Sequence, residues 1–375
     1  MLYRNMNKTD RKLSILGFGC MRLPQIADFV IDEPKATAIV RFAIDRGVNY
    51  LDTSYVYHNG QSEPFLGRVL ADGYRKRVSL ATKLPVWNVR SRKDMDRILD
   101  EQLKRLNTDH IDFYLLHGLS RSSWNAMVDL DVGEFLDEAI ADGRIGYAGF
   151  SFHDTMQVFK EIVDEYPWTF TQIQYNYMDE EFQAGTAGLD YAAEKGLGIV
   201  IMEPLRGGVL ARETAETKKL WASGGRIRTA AEWGLRWLWN RPEITVVLSG
   251  MSTMQQVKDN LGYANAGKPS SLTAGDLAVY ETIKTFYRSR VKIPCTKCRY
   301  CQPCMAGVEI PECFSAYNDA FIYHDTARAM FAYDTFTGSG SDASHCQDCG
   351  VCESLCPQKI PIRKHLKEVV SLFGH

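Results

Sequence analysis

Residues 78–117 read VSLATKLPVWNVRSRKDMDRILDEQLKRLNTDHIDFYLLH. The stretch opens on an apolar run, VSLATK, and closes on another, IDFYLLH. Between them Met95, Ile98, Leu99, Leu103 and Leu106 recur at about 3.6 residues, the period of a helix with one apolar face. Strand, helix, strand is the unit of a parallel sheet, because parallel neighbours need a long crossover. The same alternation extends in both directions. SILGFG (14–19) and NYLDTS (49–54) precede it; GYAGFS (146–151), FTQIQYN (170–176), GIVIMEP (198–204) and ITVVLSG (244–250) follow. Helical patterns separate them, as at Pro34–Arg46, apolar at Ala38, Val40, Phe42 and Ala43.

Eight such strands predict an α/β fold, a closed (β/α)8 TIM barrel, since closure leaves no sheet edge. An open doubly wound sheet would ordinarily carry G-x-G-x-x-G after an early strand. GFGCMRLP (17–24) is not that motif. LYRNM and KLSILGFG predict a short hairpin leading into the first strand.

A barrel takes roughly 250 residues, so a chain of 375 leaves room for a second region. The barrel is expected over 1–265. AGKPSSLTAGD (266–276) reads as a linker with a helix start at Thr273. A small, mainly helical C-terminal domain is expected over 266–375, with no long apolar periodicity to mark a core of its own. The net charge of −2 gives no electrostatic case for nucleic acid or a membrane surface. No apolar run approaches the ~20 residues of a membrane span. The polar start, MLYRNMNKTDRKLS, lacks the apolar core of a signal peptide, so the cytoplasm is the expected location. Of ten cysteines only Cys20 precedes residue 290, and nine fall between Cys295 and Cys356. In a reducing compartment such clustering points to metal rather than disulfides.

Reactive groups of (β/α)8 enzymes sit at the C-terminal ends of the strands. Those ends carry Asp52, Lys83 and His117, with Tyr57 in the loop after the Asp52 strand. Singly, each has a structural reading: a cap, a snorkelling amine, a buried ring with a wet tip. Their placement on three successive strand ends favours a shared site.

The run LDTSYVYHNGQSEPFLG (51–67), with ATK (81–83) and LLH (115–117), resembles the aldo-keto reductase signature over roughly residues 1–265. The resemblance implies NAD(P)H-dependent, reversible reduction of a carbonyl substrate to an alcohol. It places the catalytic tetrad on Asp52, Tyr57, Lys83 and His117. A phenol with pKa near 10 is a poor proton shuttle near neutrality. Lys83 is therefore expected to lower it, with Asp52 holding the ammonium and His117 orienting the carbonyl. Tyr55 is the rival tyrosine, expected as wall or core.

The same resemblance implies a nicotinamide site at Ser151 and Gln174, with Phe152 where the family usually has Asn, and Met202 in place of a stacking aromatic. The resemblance also places Leu205, in MEPLRGG (202–208), in the same cofactor site. Gly250, Ser252, Gln256 and Asn260, in LSGMSTMQQVKDN (248–260), match the adenosine and phosphate site. NADH and NADPH both remain open. Trp124, in the loop after His117, is expected either in the substrate pocket or as a loop anchor.

Cys346, Cys349, Cys352 and Cys356-Pro357 form C-x2-C-x2-C-x3-C-P, the spacing of bacterial ferredoxins. Zinc would usually draw four sulfurs from two separated pairs. Cys295, Cys298, Cys301 and Cys304 form a shorter-spaced companion run. The chain resembles an iron–sulfur branch of the aldo-keto reductases with a ferredoxin-type tail carrying two [4Fe–4S] clusters. That resemblance implies one cluster on Cys295, Cys298, Cys301 and Cys356 and another on Cys346, Cys349, Cys352 and Cys304. Cys313 is left as a buried thiol or reserve ligand, and Cys20 as a packing residue.

Three readings follow: a carbonyl reductase whose clusters hold the tail, an electron-transfer enzyme passing electrons from a nicotinamide or flavin to a redox partner protein, and a non-catalytic barrel.

Overall fold

The N-terminal strands β1 (Tyr3–Asn5) and β2 (Lys12–Ser14) pair antiparallel, Tyr3 opposite Ser14, as the expected hairpin. Then β3 (Leu16–Gly19) enters the barrel, followed by a second hairpin that the sequence did not announce, β4 (Gln25–Ala27) with β5 (Val30–Ile31). In this computed structural model, which describes residues 1–375 apart from Asp28, Thr296, Cys298 and Ser339, alternation then runs through the chain. It continues with α1 (Glu33–Asp45), β6 (Tyr50–Asp52), α2 (Ser62–Val69), β7 (Ser79–Leu84), α3 (Arg92–Arg105) and β8 (Ile111–Leu119). Next come α4 (Arg121–Val128), α5 (Val132–Ala141), β9 (Ile145–Phe152), α6 (Met156–Glu165), β10 (Phe170–Gln174), α7 (Gly185–Glu194) and β11 (Gly198–Met202). Helices α8 (Ala215–Ala222) and α9 (Ala230–Trp239), strand β12 (Val246–Ser249) and helix α10 (Met254–Ala264) complete this part.

The eight expected strands form one closed parallel barrel, a (β/α)8 fold, in the order β3-β6-β7-β8-β9-β10-β11-β12. It closes where Val247 of β12 lies opposite Leu16 of β3. Inside, Tyr50, Phe113, Leu115, Phe170, Val200 and Val246 pack together, and Phe113 meets the rings of Tyr50 and Phe170 at 5.4 and 5.2 Å. Met6 and Leu13 of the N-terminal hairpin belong to this cluster. A Cβ on Gly198 would lie 1.8 Å from the Met6 sulfur, so β11 needs glycine there for the hairpin to pack.

Helix α3 shows why the local sequence folds as it does. Ser91 and Asp94 form a capping box at its start, and Met95, Ile98, Leu99, Gln102 and Leu103 face inward. In α1 the buried face is Ala36, Ile39, Val40, Ala43 and Ile44. Ala38 is exposed and Phe42 half-buried beneath the Arg46 guanidinium, so the expected stripe was turned partly outward.

The chain divides into two units, Met1–Glu213 with Ile227–Ala274, and Thr214–Arg226 with Gly275–His375. The second unit thus takes α8 as well as the tail, which holds α11 (Ala274–Arg288), α12 (Ile310–Tyr323), α13 (Thr326–Thr337), α14 (Val351–Leu355) and α15 (Ile362–Phe373). The tail has an apolar core after all. Ile293, Ile310, Phe314, Tyr333, Leu366 and Phe373 are buried together, with Tyr333 stacked on Phe373 at 4.7 Å. These residues come from three helices and a loop, and only the stripe along α15 has a readable period. Among the described residues no helix is long and apolar enough to cross a membrane.

Candidate active site

The ends of β6, β7 and β8 bring Asp52, Lys83 and His117 to one end of the barrel, with Tyr57 in the turn that follows β6. Lys83 is fully buried and Asp52 nearly so. Lys83 Nζ donates to Asp52 Oδ1 and Oδ2 at 2.8 and 2.9 Å and to the Thr53 carbonyl at 2.7 Å. Its contact with the Tyr57 hydroxyl is the longest of the four, 3.3 Å. Burial pulls the Lys83 pKa down, but Asp52 and Tyr57 more than offset it, so the amine is held as ammonium.

The expected pull of Lys83 on the Tyr57 phenol is present but does not prevail. Burial lifts the phenol above its ordinary value, and Lys83 pulls it back only in part. The ammonium has three protons and a carboxylate and a carbonyl already competing for them. Tyr57 therefore stays protonated near neutrality, which is the form that can donate a proton. His117 is pushed well below the ordinary imidazole range by burial, then by Lys83 and His153. It is neutral, with Ser54 Oγ 3.1 Å from Nδ1. The Tyr57 and His117 rings meet edge-on at 6.2 Å. Trp87, in the loop after β7, lies against His117 at 5.0 Å with nearly half its surface exposed, 46 %. Tyr55 turns away, its hydroxyl on Glu101 and its ring under the Arg105 guanidinium.

Behind Lys83 lies a buried polar layer that the sequence did not reveal. Gln102 of α3 donates to the Lys83 carbonyl at 3.0 Å and to Glu63 Oε1 at 2.7 Å. Thr82 donates to the same Glu63 oxygen, and the Tyr114 hydroxyl donates to Gln102. Burial raises the Glu63 carboxyl. The available signal was Gln102, a polar residue on the apolar stripe of α3. His58 is buried too, with Nδ1 3.1 Å from Gln25 Nε2 and Nε2 3.2 Å from the Cys20 carbonyl. These bonds tie the β4–β5 hairpin to the Tyr57 turn. Cys20 is buried and its thiol is pushed far up by burial, as suits a packing residue.

On the expected cofactor side, Ser151 is buried and its Oγ accepts from the Gly118 amide at 2.7 Å. Phe152 points away, packed on Phe159 at 5.1 Å. Gln174 is engaged with Asp179 at 3.3 Å. Two residues earlier, Gln172 contacts the Met202 sulfur through Nε2, and its buried Oε1 has no hydrogen-bond partner among the described residues. Leu205 packs where Gly234 leaves room, since a Cβ there would come within 2.4 Å of it. Gln256 receives the amides of Ser252 and Thr253 in the capping box of α10. Ser252 Oγ donates to the Arg22 carbonyl at 2.7 Å, and the Arg22 side chain stands against Gly250. Asn260 is buried and bonded to Ser249 at 3.0 Å. Arg22 is a basic residue beside these positions that the sequence had not singled out.

Trp124 is an anchor, and it lies on α4 rather than in a loop. Its indole N–H donates to Glu165 and its ring packs on Trp168 at 5.7 Å, with only 5 % of its surface exposed.

In the second unit, none of the described cysteines forms a disulfide. One cavity is lined by Cys304, Cys346, Cys349 and Cys352, another by Cys295 and Cys356, and Cys301 borders both. Cys298 lies outside the described residues. Cys313 sits buried in α12, its thiol pushed up to about 12 by burial. Among the described residues, no three His, Cys, Asp or Glu side chains converge as a single metal ion requires.

A family model described as the aldo/keto reductase family matches residues 15–272. An uncharacterized oxidoreductase of Bacillus subtilis, YqkF, is 27% identical over 297 residues, covering 71% of this chain and 92% of the relative. A second one from that organism, YrpG, is 25% identical over 305 residues, covering 70% and 90%. The solved holo structure of aldo-keto reductase AKR11C1 from Bacillus halodurans superposes with a TM-score of 0.64 at 28% identity, over 75% of this chain and 96% of that one. The chain is an oxidoreductase-type barrel and belongs to the aldo/keto reductase family.

Proposed function

We propose that the barrel transfers hydride reversibly between NAD(P)H and a small carbonyl or alcohol substrate, and that the tail carries two [4Fe–4S] clusters. The observation that carries the first part is Lys83, held by Asp52 at 2.8 Å and touching the Tyr57 hydroxyl at 3.3 Å beside a neutral His117. When bound, the nicotinamide supplies the hydride. Negative charge then grows on the carbonyl oxygen, and Tyr57 delivers its proton there. Lys83 stabilises the resulting phenolate, while buried Asp52 holds the ammonium in place. His117 donates a second hydrogen bond to the same oxygen. The buried, unpaired Gln172 oxygen fits an amide N–H of the carboxamide, and Ser151 lies on the adjacent strand. Gln172 is the better partner for that group, since Gln174 is engaged with Asp179.

Cluster binding is supported by how the thiols are dispersed. They surround two cavities instead of converging on a point, as sulfurs at about 2.3 Å from one zinc would. Cys304 stands with the 346–352 run and Cys356 with Cys295 and Cys301, the crossed pairing of two-cluster ferredoxins. Each cluster would supply one-electron chemistry and a covalent clasp across the tail. Among the described residues six cysteines pack against the tail core, which supports a clasp. Electron transfer to a redox partner is the second reading. It is favoured by exposed Cys349 at the rim of the larger cavity, beside exposed Met305, Val351 and Leu355.

The test is anaerobic purification with iron and sulfide analysis, then NADH and NADPH titration with and without a carbonyl panel. Cofactor oxidation that requires a carbonyl supports hydride transfer. Bleaching of the clusters by NAD(P)H alone supports the second reading. Neither response, in a protein with its iron intact, removes both.

A further inference from the structure

Ser54 lies between Asp52 and Tyr57 and is fully buried, yet the tetrad gives it no task. Its Oγ is 3.1 Å from His117 Nδ1, and the Val56 amide donates to the same Oγ at 3.5 Å. We propose that Ser54 is a positioning residue that fixes His117 as its Nε2–H tautomer, so that the single N–H of the ring faces the substrate carbonyl. The catalytic consequence rests on the hydride-transfer reading above; the tautomer does not.

His117 is neutral. Burial, Lys83 and His153 all oppose a second proton. A neutral imidazole has one N–H, and the bond made by one nitrogen decides where it sits. The Val56 amide can only donate, so it occupies a lone pair of Ser54 Oγ. The hydroxyl proton then needs an acceptor, and among the described residues Nδ1 is the one within reach. The opposite arrangement, Nδ1–H donating to Oγ, would strand the serine proton in a site with no exposure, which is unfavourable. With Nδ1 accepting, the proton belongs to Nε2. That nitrogen makes no hydrogen bond among the described residues, and its ring is flanked by Trp87 at 5.0 Å and Tyr57 at 6.2 Å.

A wrong tautomer would set an imidazole lone pair against the carbonyl oxygen, so the cost falls on carbonyl binding and on the transition state. Loss of one positioned hydrogen bond corresponds to roughly 5- to 20-fold.

The experiment is nitrogen NMR of the full chain labelled at histidine ring nitrogens, with the His117 signals assigned by their loss in His117→Gln. Wild type should show Nε2–H. Ser54→Ala should show a mixture of tautomers or Nδ1–H. Ser54→Thr, which keeps the hydroxyl, should restore the wild-type pattern. Ser54→Ala should lower kcat/KM for carbonyl reduction about 5- to 20-fold and leave the Kd for NAD(P)H unchanged, with Ser54→Thr recovering the rate. An Nδ1–H tautomer in wild type, or an unaltered tautomer in Ser54→Ala, overturns the proposal. If no carbonyl is reduced by any of these proteins, the hydride-transfer reading fails, while the wild-type spectrum still decides the tautomer.

Discussion

The Tyr57 hydroxyl lies 3.3 Å from Lys83 Nζ, and its pKa is nevertheless above the ordinary 10.0. The ammonium is held more closely by Asp52 and the Thr53 carbonyl, so it offsets only part of the effect of burial. In the proposed mechanism reduction needs the protonated phenol. Its rate should therefore stay level from neutrality to about pH 10 and fall only beyond that. A pH profile of kcat for carbonyl reduction checks this; a descending limb centred near pH 7 or 8 would show the phenol to be acidified instead.

Lys83→Met should destabilise the barrel by about 3–5 kcal/mol, because it leaves the Asp52 carboxylate buried without its partner. Adding Asp52→Asn should recover a large part of the loss, since the second change removes the stranded charge. Urea unfolding of the two single variants and the double variant gives the answer. Simple addition of the two single losses would mean the residues are not coupled.

Glu63 gives a pH-dependent stability with a definite sign. Its folded-state pKa is raised above 4.5, so between the unfolded and folded values the folded state binds the extra proton. Wild-type stability from this group is thus greatest below about pH 4.5 and is lost as pH rises through the folded value. Glu63→Gln lacks this term. The stability difference between the variant and wild type should move in favour of Gln from pH 4 to pH 8 in matched denaturation curves. A difference that stays flat or moves the other way contradicts the buried, raised carboxyl.

Trp87 and Trp124 should behave oppositely. Trp87→Ala removes the half-exposed ring against His117 and should raise KM for bulky carbonyls about tenfold, with little effect on stability. Trp124→Ala removes a buried ring packed on Trp168 and should cost about 3–5 kcal/mol while leaving KM nearly unchanged. Steady-state kinetics and thermal melts of both variants separate the roles.

The barrel strands were legible because each is a short apolar run between clear helical or turn signals. Asp52, Lys83 and His117 were legible because strand ends are where a barrel gathers its chemistry. What escaped depends on tertiary contact. Gln172 and Gln174 lie two residues apart, so strand periodicity gives them one face; only the contact with Asp179 separates them. Glu63 and Gln102 resemble surface residues until α2 and α3 bury them against β7. Trp124 lies near His117 in sequence, but α4 directs it toward Trp168 and Glu165. The tail core joins residues of α12, α13 and α15 with Ile293, and of these segments only α15 shows its apolar stripe in sequence, so no single window displays the whole core.

Hydride transfer with Tyr57 as proton donor is tested most directly by a single turnover with NAD(P)H deuterated at nicotinamide C4, run anaerobically with wild type and Tyr57→Phe, and read by mass spectrometry of the product alcohol. With wild type, deuterium is expected on the former carbonyl carbon. With Tyr57→Phe the rate should fall at least 100-fold, roughly the contribution of a positioned general acid, at unchanged cofactor affinity. Alcohol formed without deuterium, or at a near-wild-type rate in Tyr57→Phe, would contradict it.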